Sequence, residues 1–180
     1  MSLCKHICLM ADYNKWMNAK LYEAAGNLPG TALAENRKAF FGSILGTLNH
    51  LVVADTIWLK RFANHPAKHT ALEPVIFTPS PKSLDQIMFA DFSSLSKHRK
   101  WLDNIITEWS HELAESDLDH VLHYANTKGI AANKRFFSLL MHFFNHQTHH
   151  RGQITALFSQ AGVDVGATDL LNLIPDESGA

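Results

Sequence analysis

The chain has 180 residues, of which 46% are hydrophobic and 18% charged, and its 16 basic and 17 acidic side chains leave a net charge of −1. This composition suits one folded domain with a sizeable core; it excludes a disordered chain and gives no electrostatic footprint for nucleic acid. The opening MSLCKHICLM is too short and too interrupted to span a membrane, and no signal-type cleavage site follows it.

Cys4 and Cys8 are too few for a disulfide framework and read as reduced thiols of a cytoplasmic protein, with a Cys-x3-Cys metal pair as the alternative. Both lie in a first predicted helix over residues 3–25. Its stripe Leu3, Ile7, Met10, Tyr13, Asn14, Met17, Leu21 and Ala24 is spaced by three and four, and Gly26 to Gly30 stops it. A second helix is predicted from Arg37 to Ala63 with a broad apolar stripe. Gly42 and Gly46 weaken it by roughly 1 kcal/mol each, and close approach of a neighbouring helix is the expected compensation. His50 lies mid-helix, with Gly46 and Thr47 one turn before and Ala54 one turn after, leaving room for a bound group. A core histidine bonded to a backbone carbonyl is the other reading.

Residues 64–82 hold four of the six prolines and read as an irregular link long enough to cross the molecule. Ser83 and Gln86 suit a capping box that opens a third helix, Leu84 to Ser110. The basic runs Lys97 to Lys100 and Lys134–Arg135 read as solvated helix faces. Val121 to Tyr124, followed by Asn126 to Gly129, predicts a short extended segment and a turn, with His120 and His123 exposed. A fourth helix is predicted from Asn133 to Ala161 with Gly162 as its C-cap, then a short turn around Asp169 to Leu173. Without repeat or boundary, residues 1–180 read as a single all-α four-helix bundle domain. The long second link permits helices two and three to run parallel.

The fourth helix carries His142, His146, His149 and His150 within nine positions. At about 3.6 residues per turn, His142, His146 and His150 form one column and His149 lies roughly 100° from His150. The column shares its face with Phe136, Leu139, Phe143, Ile154 and Leu157, and imidazoles in an apolar stripe need hydrogen bonds or a metal. His146 and His150 can bind one ion at about 2.0–2.1 Å, and His50 on a facing helix completes a three-histidine site with an open position. His142 is one turn too early to join them, and His149 points off the column. Imidazole suits zinc, nickel, iron and copper alike. Gln147 stands where the zincin pattern His-Glu-x-x-His needs its general base, which disfavours a metalloprotease. No Glu-x-x-His pair, Gly-rich phosphate loop or Gly-x-Ser-x-Gly elbow is present. Asp55 and Arg151 either orient a ligand or substrate, or play structural parts: Arg151 as a surface ion-pair partner, Asp55 turned away from His50 by helical phase.

His142 to Ile154 (HFFNHQTHHRGQI) resembles the signature of the DinB family, the DinB/YfiT-like proteins regarded as metalloenzymes. Leu48-Asn-His50, Ala54-Asp55 and Trp58-Leu-Lys-Arg61 resemble its second-helix motif, Tyr13 to Asn18 its first helix, and Thr168 to Leu171 with Ile174-Pro175 its end. The resemblance implies an up-down-down-up bundle and a homodimer. It also implies one divalent ion on His50, His146 and His150: zinc or nickel, with iron, manganese or copper as alternatives. Relatives in the wider superfamily include S-transferases and isomerases that use low-molecular-weight thiols, and many members are labelled stress-inducible. Three readings stay open. The first is a metal-dependent enzyme, a thiol transferase acting on a small electrophile or a hydrolase, whose catalytic residues are not named by the sequence. The second is a non-catalytic, metal-stabilised dimeric stress-response protein. The third is a plain bundle with hydrogen-bonded core histidines.

Overall fold

A computed structural model describes residues 2–176. The chain is mostly helical, with four long helices: α1 (Leu3–Gly26), α3 (Ile44–Phe62), α5 (Phe92–Glu112) and α6 (Phe136–Gln160). Two short helices, α2 (Gly30–Ala34) and α4 (Glu73–Ile76), lie in the links, and β1 (Val121–Ala125) pairs antiparallel with β2 (Ala131–Arg135). α1 packs on α5 and α6, and α3 on α6 and α5. The buried side chains between them, among them Ile7, Leu21, Leu48, Val52, Phe62, Leu102, Ile106, Trp109, Phe136, Phe143 and Phe158, form one core. No helix among the described residues is long and apolar enough to cross a membrane.

Three helices start later than the apolar pattern predicts, each for a local reason. α3 begins at Ile44 rather than Arg37 because the Ser43 side chain caps it, accepting from the Gly46 amide at 3.0 Å. Before it, Lys38 and Gly42 take positive φ angles of 57° and 75°, so residues 37–42 form a tight turn instead of a helical one. Gly46 is also explained here. A Cβ at this position would stand 2.1 Å from the Phe41 carbonyl oxygen, so the close neighbour is that turn and not another helix.

α5 begins at Phe92 rather than Leu84, capped by Asp91, which accepts from the Ser94 amide at 2.7 Å. Residues 83–91 instead form an irregular strap across α3. Buried Asn49 holds it by two reciprocal bonds: its Nδ2 donates to the Phe89 carbonyl at 3.0 Å, and its Oδ1 accepts from the Phe89 amide at 2.9 Å. An amide side chain that mimics a backbone pair competes directly with helix formation at Phe89.

α6 begins at Phe136 rather than Asn133 because residues 131–135 pair with 121–125 in the hairpin, Val121 opposite Arg135 and Ala125 opposite Ala131. Asn126 organises the turn through bonds from the Lys128 and Ile130 amides, and Gly129 supplies its positive φ. His123 is exposed as expected, whereas His120 is half-buried against His65, their ring centres 4.7 Å apart. The 64–82 link is tied down by Lys60, whose Nζ donates to the Ile76 and Thr78 carbonyls, and by Glu112, which accepts from Thr70 and Ala71. Both cysteines are free thiols, and burial pushes Cys4 up to about 11.

Candidate metal centre

His50 projects from the middle of α3, and His146 and His150 from successive turns of α6. The packing of these two helices brings together residues about a hundred positions apart. His50 Nε2 stands 3.3 Å from His146 Nε2 and 3.2 Å from His150 Nε2. Among the described residues this is the one group of three or more side chains whose potential ligand atoms converge, all within 4.8 Å of one another. Two nitrogens held about 2.05 Å from one ion at a tetrahedral angle sit about 3.3 Å apart, so the spacing fits a first-row divalent ion.

The protons on the outer nitrogens decide what the inner ones offer. His50 Nδ1 lies 2.8 Å from the Leu84 carbonyl, which can only accept, so Nδ1 carries the hydrogen. His150 Nδ1 likewise donates to Gln153 Oε1 at 2.8 Å. Neutral rings protonated there turn bare Nε2 lone pairs toward each other, and lone pairs at 3.2 Å repel unless a cation lies between them. Burial lowers the pKa of all three rings, His146 down to about 3, and neighbouring imidazoles add to the effect at His146 and His150. The rings are therefore neutral near pH 7, the state in which imidazole binds a metal.

Carbon walls shield one side. The Phe41 ring stacks on His50 at 3.8 Å between centres and meets His150 edge-on at 5.6 Å. On the other side a cleft of 190 Å³ opens, bounded by α3, α6, Leu84 of the strap, and Asn126 and Thr127 of the hairpin turn.

The DinB family model matches residues 1–177. The chain belongs to the DinB family. It is similar to Protein DinB of Bacillus subtilis (strain 168), 23% identical over 160 residues that cover 88% of this chain and 87% of that protein. No solved structure matches it.

In this DinB-family chain the remaining sequence-selected residues fall outside the cluster. The exposed His142 packs edge-on to Trp58 at 5.1 Å, its ring 5.9 Å from that of His146, and borders the cleft. His149 is exposed, and its Nε2 accepts from Gln153 Nε2 at 3.1 Å, so one glutamine orients two histidines. Gln147 points away from the imidazoles and donates to Asp55 Oδ1 at 3.0 Å. Asp55 in turn pairs with Arg99 at 2.5 Å, and Arg99 with Asp103 at 3.0 Å. Asn14 and Asn18 of α1 donate to Asp103, and Arg151 donates to Asn14 Oδ1.

This buried network corrects two readings. Arg99 is no solvated lysine-like residue of a basic run; it is 1% exposed, with a carboxylate on either side. Arg151 is no surface ion-pair partner. It is 2% exposed, bonded to Asn14 and Thr148 with its guanidinium over the Tyr13 ring, and burial pushes it down to about 10. Asp55 does face away from His50, as its helical phase requires. Sequence reasoning missed Phe41, Leu84 and Gln153 as the groups that surround and orient the rings. Only Gln153 left a signal, at three residues from His150 on one helix face.

Proposed function

We propose that His50, His146 and His150 hold one divalent metal ion, zinc or nickel first, and that the protein is a metal-dependent enzyme of the thiol-transferase or hydrolase type. The observation that carries this reading is the convergence of three Nε2 lone pairs whose outer protons, on His50 and His150, are committed to Leu84 and Gln153. An ion bound by three histidines supplies Lewis acidity and an open position at which a thiol or water is acidified. The chain's own groups do the rest: the Leu84 carbonyl and Gln153 keep the tautomers, Phe41 excludes water from the back, and the cleft admits a small electrophile from the front.

The same reading takes residues 1–180 as a single domain in which the four long helices form an up-down-down-up bundle. It takes the working form as a cytoplasmic homodimer. Family membership and the length of the 64–82 link support the topology, family membership supports the homodimer, and the two free thiols suit the cytoplasm. The competing reading is a metal-stabilised dimeric stress-response protein without turnover; it is favoured by Gln147, which stands in place of a general-base glutamate and is engaged with Asp55.

Elemental analysis of protein purified without a metal-affinity tag, beside its His146→Ala/His150→Ala variant, tests the site. About one equivalent of metal in the parent and none in the variant is expected; metal in neither sinks the proposal. A screen of small thiols against electrophiles, with the metal-loaded parent and His50→Ala, then separates enzyme from binding protein.

A further inference from the structure

Arg61 is the one guanidinium on the wall of the cleft, three turns along α3 from His50 on the same helix face. Its Cζ lies 4.6 Å from the centre of the Trp58 ring and 5.0 Å from that of Tyr124, and these two rings meet at 5.5 Å. The cation is thus held in the corner of two aromatic faces. Aromatic faces attract a cation but satisfy none of its N–H groups. Among the described residues no carboxylate pairs with Arg61 or with the buried Arg151, whereas Arg37 and Arg135 each have one and Arg99 has two. Burial lowers its pKa, the sign of a charge partly stripped of water, with Tyr124 acting against the shift.

From Arg61 a continuous wall runs to the imidazole cluster: Trp58, then His142 at 5.1 Å, then His146 at 5.9 Å. Ala54 and Ile57 make the apolar floor between them. The cleft has the volume of roughly six waters in the liquid, which admits a short chain and no macromolecule. The donors at one end are five fixed N–H groups matched to an oxyanion, and at the other three lone pairs matched to a cation.

We propose that the cleft binds a small carboxylic acid, its carboxylate on Arg61 and its opposite end directed toward the histidine cluster. The inference rests on the metal reading above for that second end, and it makes Arg61 the residue that selects an anionic substrate. An oxyanion on Arg61 also offsets the exposed edge of a cation that the aromatic corner leaves unbonded.

Calorimetric titration of zinc-loaded protein with succinate, with its neutral diamide and with 3-phosphonopropionate tests the assignment. Zinc content is measured on every sample. Succinate binds and the diamide does not; Arg61→Gln weakens succinate by at least about tenfold at unchanged zinc content, and Arg61→Lys recovers part of the loss. Equal binding of succinate and diamide, no binding of either, or undiminished binding to Arg61→Gln overturns the proposal. Tighter binding of the phosphonate than of succinate overturns its carboxylate half. Should Arg61→Gln fail to fold, Arg61→Met takes its place, with the same loss of succinate binding expected at unchanged zinc content. A protein that takes up no zinc refutes the metal centre; a zinc-loaded protein indifferent to the carboxylate refutes only the role of Arg61.

Discussion

Gln147 Nε2 donates to Asp55 Oδ1 at 3.0 Å across the α3–α6 contact, and both residues are 1% exposed. One residue away on the same helix, His146 faces the imidazole cluster. Neighbours on a helix differ by about 100°, so α6 presents the imidazole face and a structural polar face at adjacent positions. A glutamate at 147 would thus meet a second carboxylate rather than a bound water. Gln147→Glu is expected to lower stability by about 3 kcal/mol at pH 7, less in acid where the shared proton is retained, and to add no peptidase or esterase activity. Urea unfolding at two pH values checks the first expectation, and a hydrolase assay with zinc-loaded variant the second.

Removing the proposed metal should leave a folded but less stable protein. An ion at a hundred times its dissociation constant adds about 2.7 kcal/mol, equivalent to roughly 5–10 °C in melting temperature for a domain of this size. Chelation is expected to lower the parent's melting temperature by that order and to leave His146→Ala/His150→Ala unchanged. Equal response of both proteins would place the stabilising ion elsewhere.

The metal-free protein should lose stability in acid. His146 is held down to about 3 and His98 to about 4, both mainly by burial, against an ordinary value of 6.5. Between those values the unfolded chain binds protons that the folded one refuses. The contribution is therefore complete above pH 6.5 and is lost as the pH falls toward 4 and 3, with a slope of up to about 1.4 kcal/mol per pH unit for each group. Chelator-treated parent should show this slope in chemical denaturation. His146→Ala and His98→Asn should each reduce it.

Gly46→Ala should damage the site without touching any of the three histidines. The new methyl meets the Phe41 carbonyl oxygen at 2.1 Å, a backbone atom that cannot rotate away. The turn must move, carrying the ring that stacks on His50. A loss of about 1–3 kcal/mol in stability is expected, with weaker zinc binding in a competition titration. Zinc affinity equal to the parent's would show that Phe41 is not part of the site.

Local periodicity made α1, the body of α6 and the histidine column legible, because each depends on spacing within one helix. The partner of that column was legible only as far as His50 sits among small residues. What stayed hidden depends on contacts distant in sequence. Asn49 forbids a helix at Phe89 by bonding its backbone from forty positions away, and strand pairing takes residues 131–135 from α6. Arg99 looked solvated because its carboxylate partner Asp55 lies on another helix, and Arg151 because its partner Asn14 lies on the first.

The two bonds between Asn49 and Phe89 join the strap to the residue directly before His50, and the strap also supplies the carbonyl that holds the His50 proton. The lifetime of that tautomer is then tied to the opening rate of a segment without regular structure. Amide hydrogen exchange at Phe89 becomes a clock for the centre: as long as this proton is protected, His50 keeps its lone pair aimed inward. The residence time of a bound ion would follow a local unfolding event in the strap, several residues from any nitrogen that touches it.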